Sequence, residues 1–196
     1  MSTGRLEAFS DGVIAIVITI MVLELHTPER ADWASLASLA PVLSAYVLSF
    51  VFLGIYWSNH HHMLHAARQV SGAALWANLH LLFWLSLIPF VTRWVGATDV
   101  ATVPTAVYGI VLLMAAVAYQ ILFRALVAQD GPDSTLARAV GSDLKGRVSL
   151  ASYAASVPLA FVNRWIAVAL YVFVALLWLV PDRRIEDRLG PREEPA

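Results

Sequence analysis

Cysteine is absent from this chain, which excludes a disulfide framework, a thiolate nucleophile and a thiolate metal site. Charge is scarce as well. Asp, Glu, Lys and Arg make up 14% of the 196 residues, against about a quarter in ordinary soluble domains. So few charges would leave a water-facing surface poorly covered, and the composition argues against a soluble protein. The net charge of −1 offers no general attraction to nucleic acid, and no basic tract or RNA-binding motif is present. No internal repeat or separate soluble domain is visible. A signal peptide is not expected: no small-residue cleavage site follows the first apolar run, and Asp11 interrupts that run near its start.

Apolar residues fill the space that charge leaves. They make up 59% of the chain, and seven Trp, eight Phe and six Tyr suit aromatic anchors at two water–lipid boundaries. A transmembrane helix needs about 20 mostly apolar residues. Such runs extend from Leu6 to Leu25, from about Leu36 to Trp57 with a polar end at His62, from about Ala73 to Trp94, and from Val103 to Val127. The last apolar region, Val148 to Val180, would span roughly 50 Å as one helix, too long for a hydrocarbon core of about 30 Å. Asn163-Arg164 divides it and Pro158 weakens its first half, so a hairpin of two short spans is expected. The fold class is therefore an all-α integral membrane protein with six transmembrane helices. Residues 1–181 form its transmembrane domain and residues 182–196 a charged cytoplasmic tail. The connection from Ala128 to Arg147, with Gly131, Pro132, Asp133 and Ser134, is the other expected water-exposed stretch.

Six spans place both termini on one side. That side carries ten of the 13 Lys and Arg residues, while Arg30, Arg93 and Arg164 fall on the other. The positive-inside rule puts the termini in the cytoplasm.

Polar groups within spans are costly and mark functional positions by default. The first helix holds Ser10, Asp11 and Thr19. The second ends in Trp57, Asn59, His60, His61 and His62, followed by His65, and the third begins with Trp76, Asn78 and His80. The topology brings these clusters together in the cytoplasmic leaflet, where they can hydrogen-bond one another. At 100° per residue, Ile16, Thr19, Ile20 and Leu23 share one face of the first helix. Asp11 points about 140° away from Ile16, toward neighbouring helices. Glu24 lies at the edge of the stripe, at its outer end.

His61 and His65 stand at i, i+4, a metal-ligating spacing, but no glutamate completes an H-E-x-x-H motif. Haem ligation between His60 or His61 and His80 is geometrically conceivable. The same residues also fit as hydrogen-bond partners of Ser10 and Asp11, and that reading is preferred. No metal or cofactor is expected, and no complete catalytic constellation is present, so the chain is not expected to be an enzyme.

The segment Arg5-Leu6-Glu7-Ala8-Phe9-Ser10-Asp11 matches an R-x-x-x-F-S-D signature at the start of the first span. With Trp57-Ser58-Asn59-His60-His61, Trp76-Ala77-Asn78 and Pro89-Phe90, the chain resembles the transmembrane-protein-175 family of potassium channels, in its bacterial single-repeat form. The resemblance is close over the first three helices. The last three match in number and hydropathy.

The resemblance implies a homotetramer of six-helix subunits in the plasma membrane of a bacterium, passing monovalent cations, potassium above all. Helix one would line the central pore, with a constriction beginning at Ile16 and continuing through Ile20 and Leu23. Thr19 would supply a hydroxyl layer. Arg5, Phe9, Ser10, Asp11, Trp57, Asn59, His60, His61 and Asn78 would form a structural network holding helix one against helices two and three. No T-V-G-Y-G segment is present, so a filter of backbone carbonyls is not expected. The alternative is a proton-coupled or proton-conducting transporter using Asp11 and the inner-leaflet histidines.

Overall fold

The computed structural model describes residues 2–67, 69–131, 134 and 144–179, and among these the regular structure is helical. We label the helices α1 (Thr3–Leu23), α2 (Trp33–Ala37), α3 (Ala40–Ala66), α4 (Gly72–Ser86), α5 (Ile88–Ala97), α6 (Thr102–Asp130), α7 (Leu144–Val162) and α8 (Arg164–Leu179). Four segments are long and apolar enough to cross a membrane: Thr3–Leu23, Ala40–Ala66, Gly72–Ala97 and Thr102–Asp130. The helix Arg164–Leu179 is apolar but shorter. The expected tail at residues 182–196, and most of the loop between α6 and α7, lie outside the described residues.

Local chemistry sets the boundaries. The second span was expected to begin near Leu36, but Leu36 sits in the separate short helix α2. Asp32 caps that helix, its carboxylate accepting from the Ser35 backbone N–H at 2.8 Å, and this bond holds the Asp32 carboxyl below its ordinary range. Pro41 lies in the first turn of α3, where a missing N–H costs nothing. The third span is divided at Leu87. Pro89 follows two residues later and cannot donate to the carbonyl four residues back, so the helix is interrupted and restarts as α5. Asn163 separates α7 from α8, and its side chain accepts from the Trp165 N–H at 2.9 Å. Pro158, expected to weaken this region, is accommodated within α7.

Spans that follow one another in the chain run antiparallel. Asp11 meets Trp57, Ser49 meets Thr92, and Ser149 meets Trp178 across the α7–α8 hairpin. Helix α6 touches α4, α5, α7 and α8. In lipid the tails are as apolar as the side chains, so helices associate through close packing of small residues and through hydrogen bonds. Accordingly small residues are buried on all three helices, Gly109, Ala115 and Ala118 on α6, Ser156 and Ala160 on α7 and Ala167 on α8. Buried hydroxyls add polar links. Ser49 Oγ lies 2.6 Å from Thr92 Oγ1 and 2.9 Å from the Tyr108 hydroxyl. The Tyr171 hydroxyl donates to the Thr105 carbonyl at 2.9 Å.

At Gly109, α6 comes close to side chains of both α7 and α8. A Cβ there would overlap the Tyr171 hydroxyl and come within 2.9 Å of Ser156 Oγ. Overpacking a filled core costs about 1–3 kcal/mol. Gly109→Ala is therefore expected to lower the thermal midpoint of the detergent-solubilised protein, read by tryptophan fluorescence. An unchanged midpoint would show that this contact is not tight.

Candidate functional site: helix α1 and its anchors

Helix α1 has two unlike faces. Leu6, Ser10, Ile14, Val17 and Met21 are buried against the rest of the subunit at helical spacing. The opposite side is bare. Ile16 is 60% exposed and Leu23 80%, Ile20 and Phe9 are exposed with them, and Thr19 lies on the same open side. The stripe grouped by angle in the sequence is thus one surface of the folded subunit, covered by none of its own helices. The Thr19 hydroxyl donates to the Ile16 carbonyl at 2.9 Å. Its single proton is used within the helix, and its oxygen lone pairs remain free to accept or to meet a cation.

The buried face is fixed by a hydrogen-bonded chain in which each donor determines the next. Ser10 Oγ donates to the Leu6 carbonyl at 2.8 Å, so it can only accept from Asn78 Nδ2, 2.9 Å away. That turns the Asn78 amide oxygen toward His60 Nε2 at 2.7 Å. His60 must therefore donate through Nε2, and its buried Nδ1 is left without a partner. All three side chains are essentially inaccessible, and they tie α1 to α4 and α3.

Two rungs between α1 and α3 flank this chain. Trp57 Nε1 donates to Asp11 Oδ1 at 3.1 Å. One turn away, His61 Nδ1 meets Glu7 Oε1 at 2.5 Å. The His61 ring stacks between Trp57 at 6.4 Å and His65 at 5.9 Å. Asn59 Nδ2 donates to the Ile55 carbonyl at 2.8 Å, within its own helix, while its backbone carbonyl faces the Tyr119 hydroxyl.

Several expected partnerships come out differently. Neither His60 nor His61 pairs with Ser10 or Asp11: His60 reaches Ser10 only through Asn78, and His61 takes Glu7. His80 accepts from Trp84 Nε1 one turn along its own helix, at 2.9 Å. Arg5 and Phe9 are exposed on α1 and stand outside these bonds. Glu7 was missed, although its spacing could have revealed it. It lies one turn before Asp11 as His61 lies one turn after Trp57, so antiparallel helices that make one rung must offer the other. At the opposite end of α1, Glu24 Oε2 pairs with Arg93 Nη1 of α5 at 2.7 Å, a contact between groups 69 positions apart that local pattern does not show.

Fold and site together define a helical membrane protein whose first helix is held by buried polar bonds and presents an uncovered aliphatic face. A family model described as the endosomal/lysosomal potassium channel TMEM175 matches residues 5–89. A potassium channel of Chryseobacterium sp. (strain P1-3) is 50% identical over 189 residues, covering 96% of this chain and 98% of that one. The crystal structure of a lysosomal potassium-selective channel TMEM175 homolog from Chamaesiphon minutus matches with a TM-score of 0.81 at 28% identity, covering 93% of this chain and 97% of that one. A more distant match is the endosomal/lysosomal proton channel TMEM175 of Homo sapiens, 34% identical over 96 residues, or 42% of this chain and 19% of that protein. The chain belongs to the TMEM175 family, whose members are ion channels and not enzymes.

Replacing Asn78 by Leu removes both links of the buried chain and strands the His60 N–H. An unsatisfied buried donor costs roughly 1–3 kcal/mol. Asn78→Leu is expected to lower the thermal midpoint, while Asn59→Leu, which removes only a bond within α3, is expected to lower it less. Equal effects would show that the chain does not fix α1.

Proposed function

We propose that this chain is a potassium-selective channel that conducts passively through a pore lined by four copies of α1 in a homotetramer. The observation that carries this reading is the uncovered face of Ile16, Thr19, Ile20 and Leu23, on a helix whose other face is pinned by Ser10, Asp11 and Glu7. Lipid alone would also accept an aliphatic face, but it gives no reason for so much buried polar bonding behind it. Membership of the family supplies the rest, since the bacterial relatives are named potassium channels. Each subunit contributes six spans, with α7 and α8 as the fifth and sixth. Residues 1–181 form the channel domain and residues 182–196 a cytoplasmic tail. The arginine distribution sets both termini in the cytoplasm of a bacterial inner membrane.

The pore chemistry follows from the helix. Its carbonyls are engaged along the backbone, so they cannot form a conventional filter. Four Thr19 oxygens in a ring, each with its proton turned back to Ile16, replace part of a cation's hydration shell. Rings of Ile16 and Leu23 narrow the path and exclude water when closed. Such a pore discriminates through few oxygens and passes ions slowly compared with a carbonyl filter. Potassium is the permeant species and no cofactor takes part.

A second reading, proton conduction through Asp11 and the histidines, draws on the name of the animal relatives. A gradient experiment separates the two. In proteoliposomes, the reversal potential is expected to follow the potassium gradient and to ignore an imposed pH gradient. Thr19→Val is expected to reduce the potassium-to-sodium permeability ratio, and Ile16→Ala to raise the flux. A reversal potential set by pH, or a permeability ratio untouched by Thr19→Val, overturns the proposed pore.

A further inference from the structure

The two ends of α1 are secured very differently. Its N-terminal half is held by the buried Ser10–Asn78–His60 chain and by the Asp11–Trp57 and Glu7–His61 rungs. Beyond Asp11, among the described residues, one side-chain polar link joins α1 to another helix: the Glu24–Arg93 ion pair at 2.7 Å. Apolar packing of α1 on the subunit ends at Met21. Beside its last turn lies a cleft of about 130 Å³ whose lining includes Met21, Glu24, Leu25, Val42, Pro89 and Arg93. The last turn therefore borders open space, and the ion pair, both of whose residues line it, joins that turn to α5.

From this geometry we infer that Glu24 and Arg93 are positioning residues that set the aperture at Leu23. The inference rests on the proposal that α1 lines the pore. Glu24 is the C-cap of α1, and its backbone N–H still bonds to the Ile20 carbonyl. A pull on the Glu24 side chain is thus transmitted directly to the final helical turn. Leu23, the preceding residue, is 80% exposed and is the last member of the proposed pore stripe. With the pair made, the last turn is drawn toward α5. With the pair broken, no other side-chain polar link among the described residues ties that turn to a neighbouring helix. Glu24 also has a competing role, as one of four carboxylates that attract cations to the outer mouth. Its engagement with a guanidinium argues against that role, because Arg93 cancels the charge at the point where attraction would act.

The two roles predict opposite behaviour in Arg93→Gln. Potassium flux through the full-length tetramer in proteoliposomes, measured at low and high salt, reads the difference. As a latch, Glu24→Gln and Arg93→Gln shift the flux in the same direction at both salt concentrations. The shift is expected to be roughly two- to fivefold, the scale of a partly exposed ion pair acting on a two-state equilibrium. The exchanged pair Glu24→Arg with Arg93→Glu restores it. As a source of cation attraction, Arg93→Gln raises the flux and Glu24→Gln lowers it, mostly at low salt, and the exchanged pair restores nothing; that result overturns the latch. Single variants with wild-type flux overturn it too. A single variant that fails to assemble while the exchanged pair assembles supports the latch as restored flux does. Wild-type protein and Thr19→Val, run in the same preparation, test the pore separately: if wild type passes no potassium, it is the pore reading that falls.

Discussion

The structure depends on a requirement of the hydrocarbon interior: a polar side chain placed there needs a partner. Ser10 is the point at which this requirement becomes architecture. Its proton is committed to Leu6, so it must accept from Asn78, and Asn78 must then accept from His60. Three helices are brought into one fixed rotation by bonds whose donors and acceptors cannot be exchanged. Once α1 has that rotation, the residues left uncovered are no longer a matter of choice.

The same constraint explains the unusual division of labour along α1. Residues that look chemically able, Glu7, Asp11, His60, His61 and Asn78, are engaged in holding the helix. The residues left for the proposed pore are aliphatic, with the single oxygen of Thr19. Outside α1, the hydroxyls of Ser49, Thr92, Tyr108 and Tyr171 give the α3–α5–α6–α8 packing its own polar links, and buried glycine and alanines let those helices come close. The membrane supplies little drive for one apolar helix to prefer another over lipid. Specific bonds and close approach therefore select the arrangement.

Much of the fold was legible because its determinants are local. Four apolar runs of spanning length, the helix-ending Asn163, and the face shared by Ile16, Thr19, Ile20 and Leu23 all follow from composition and from a period of 3.6 residues. Boundaries were less legible where two local signals compete. The Asp32 cap and Pro41 together split off α2, and Pro89 divides one expected span into α4 and α5. At the site, the meeting of Ser10, Asp11, Trp57, His60 and Asn78 was foreseeable from topology, since each lies at the same depth. The pairing among them was not. Whether a histidine takes Asp11 or Glu7 depends on helix rotation and on about one turn of register, neither of which is written in any single segment.

The sequence by itself determined that this is a helical membrane protein, roughly where its four long apolar spans lie, which residues share a face, and the signature that marks its family. Those properties depend on residues within one helix turn or on composition, and chain order records both. Only the tertiary structure decided which face of α1 is buried, that His61 answers to Glu7, that His60 reaches Ser10 through Asn78, and that Glu24 is bound to Arg93. Each of these joins groups far apart in the chain, through directional bonds that exist only when packed helices hold donor and acceptor within about 3 Å.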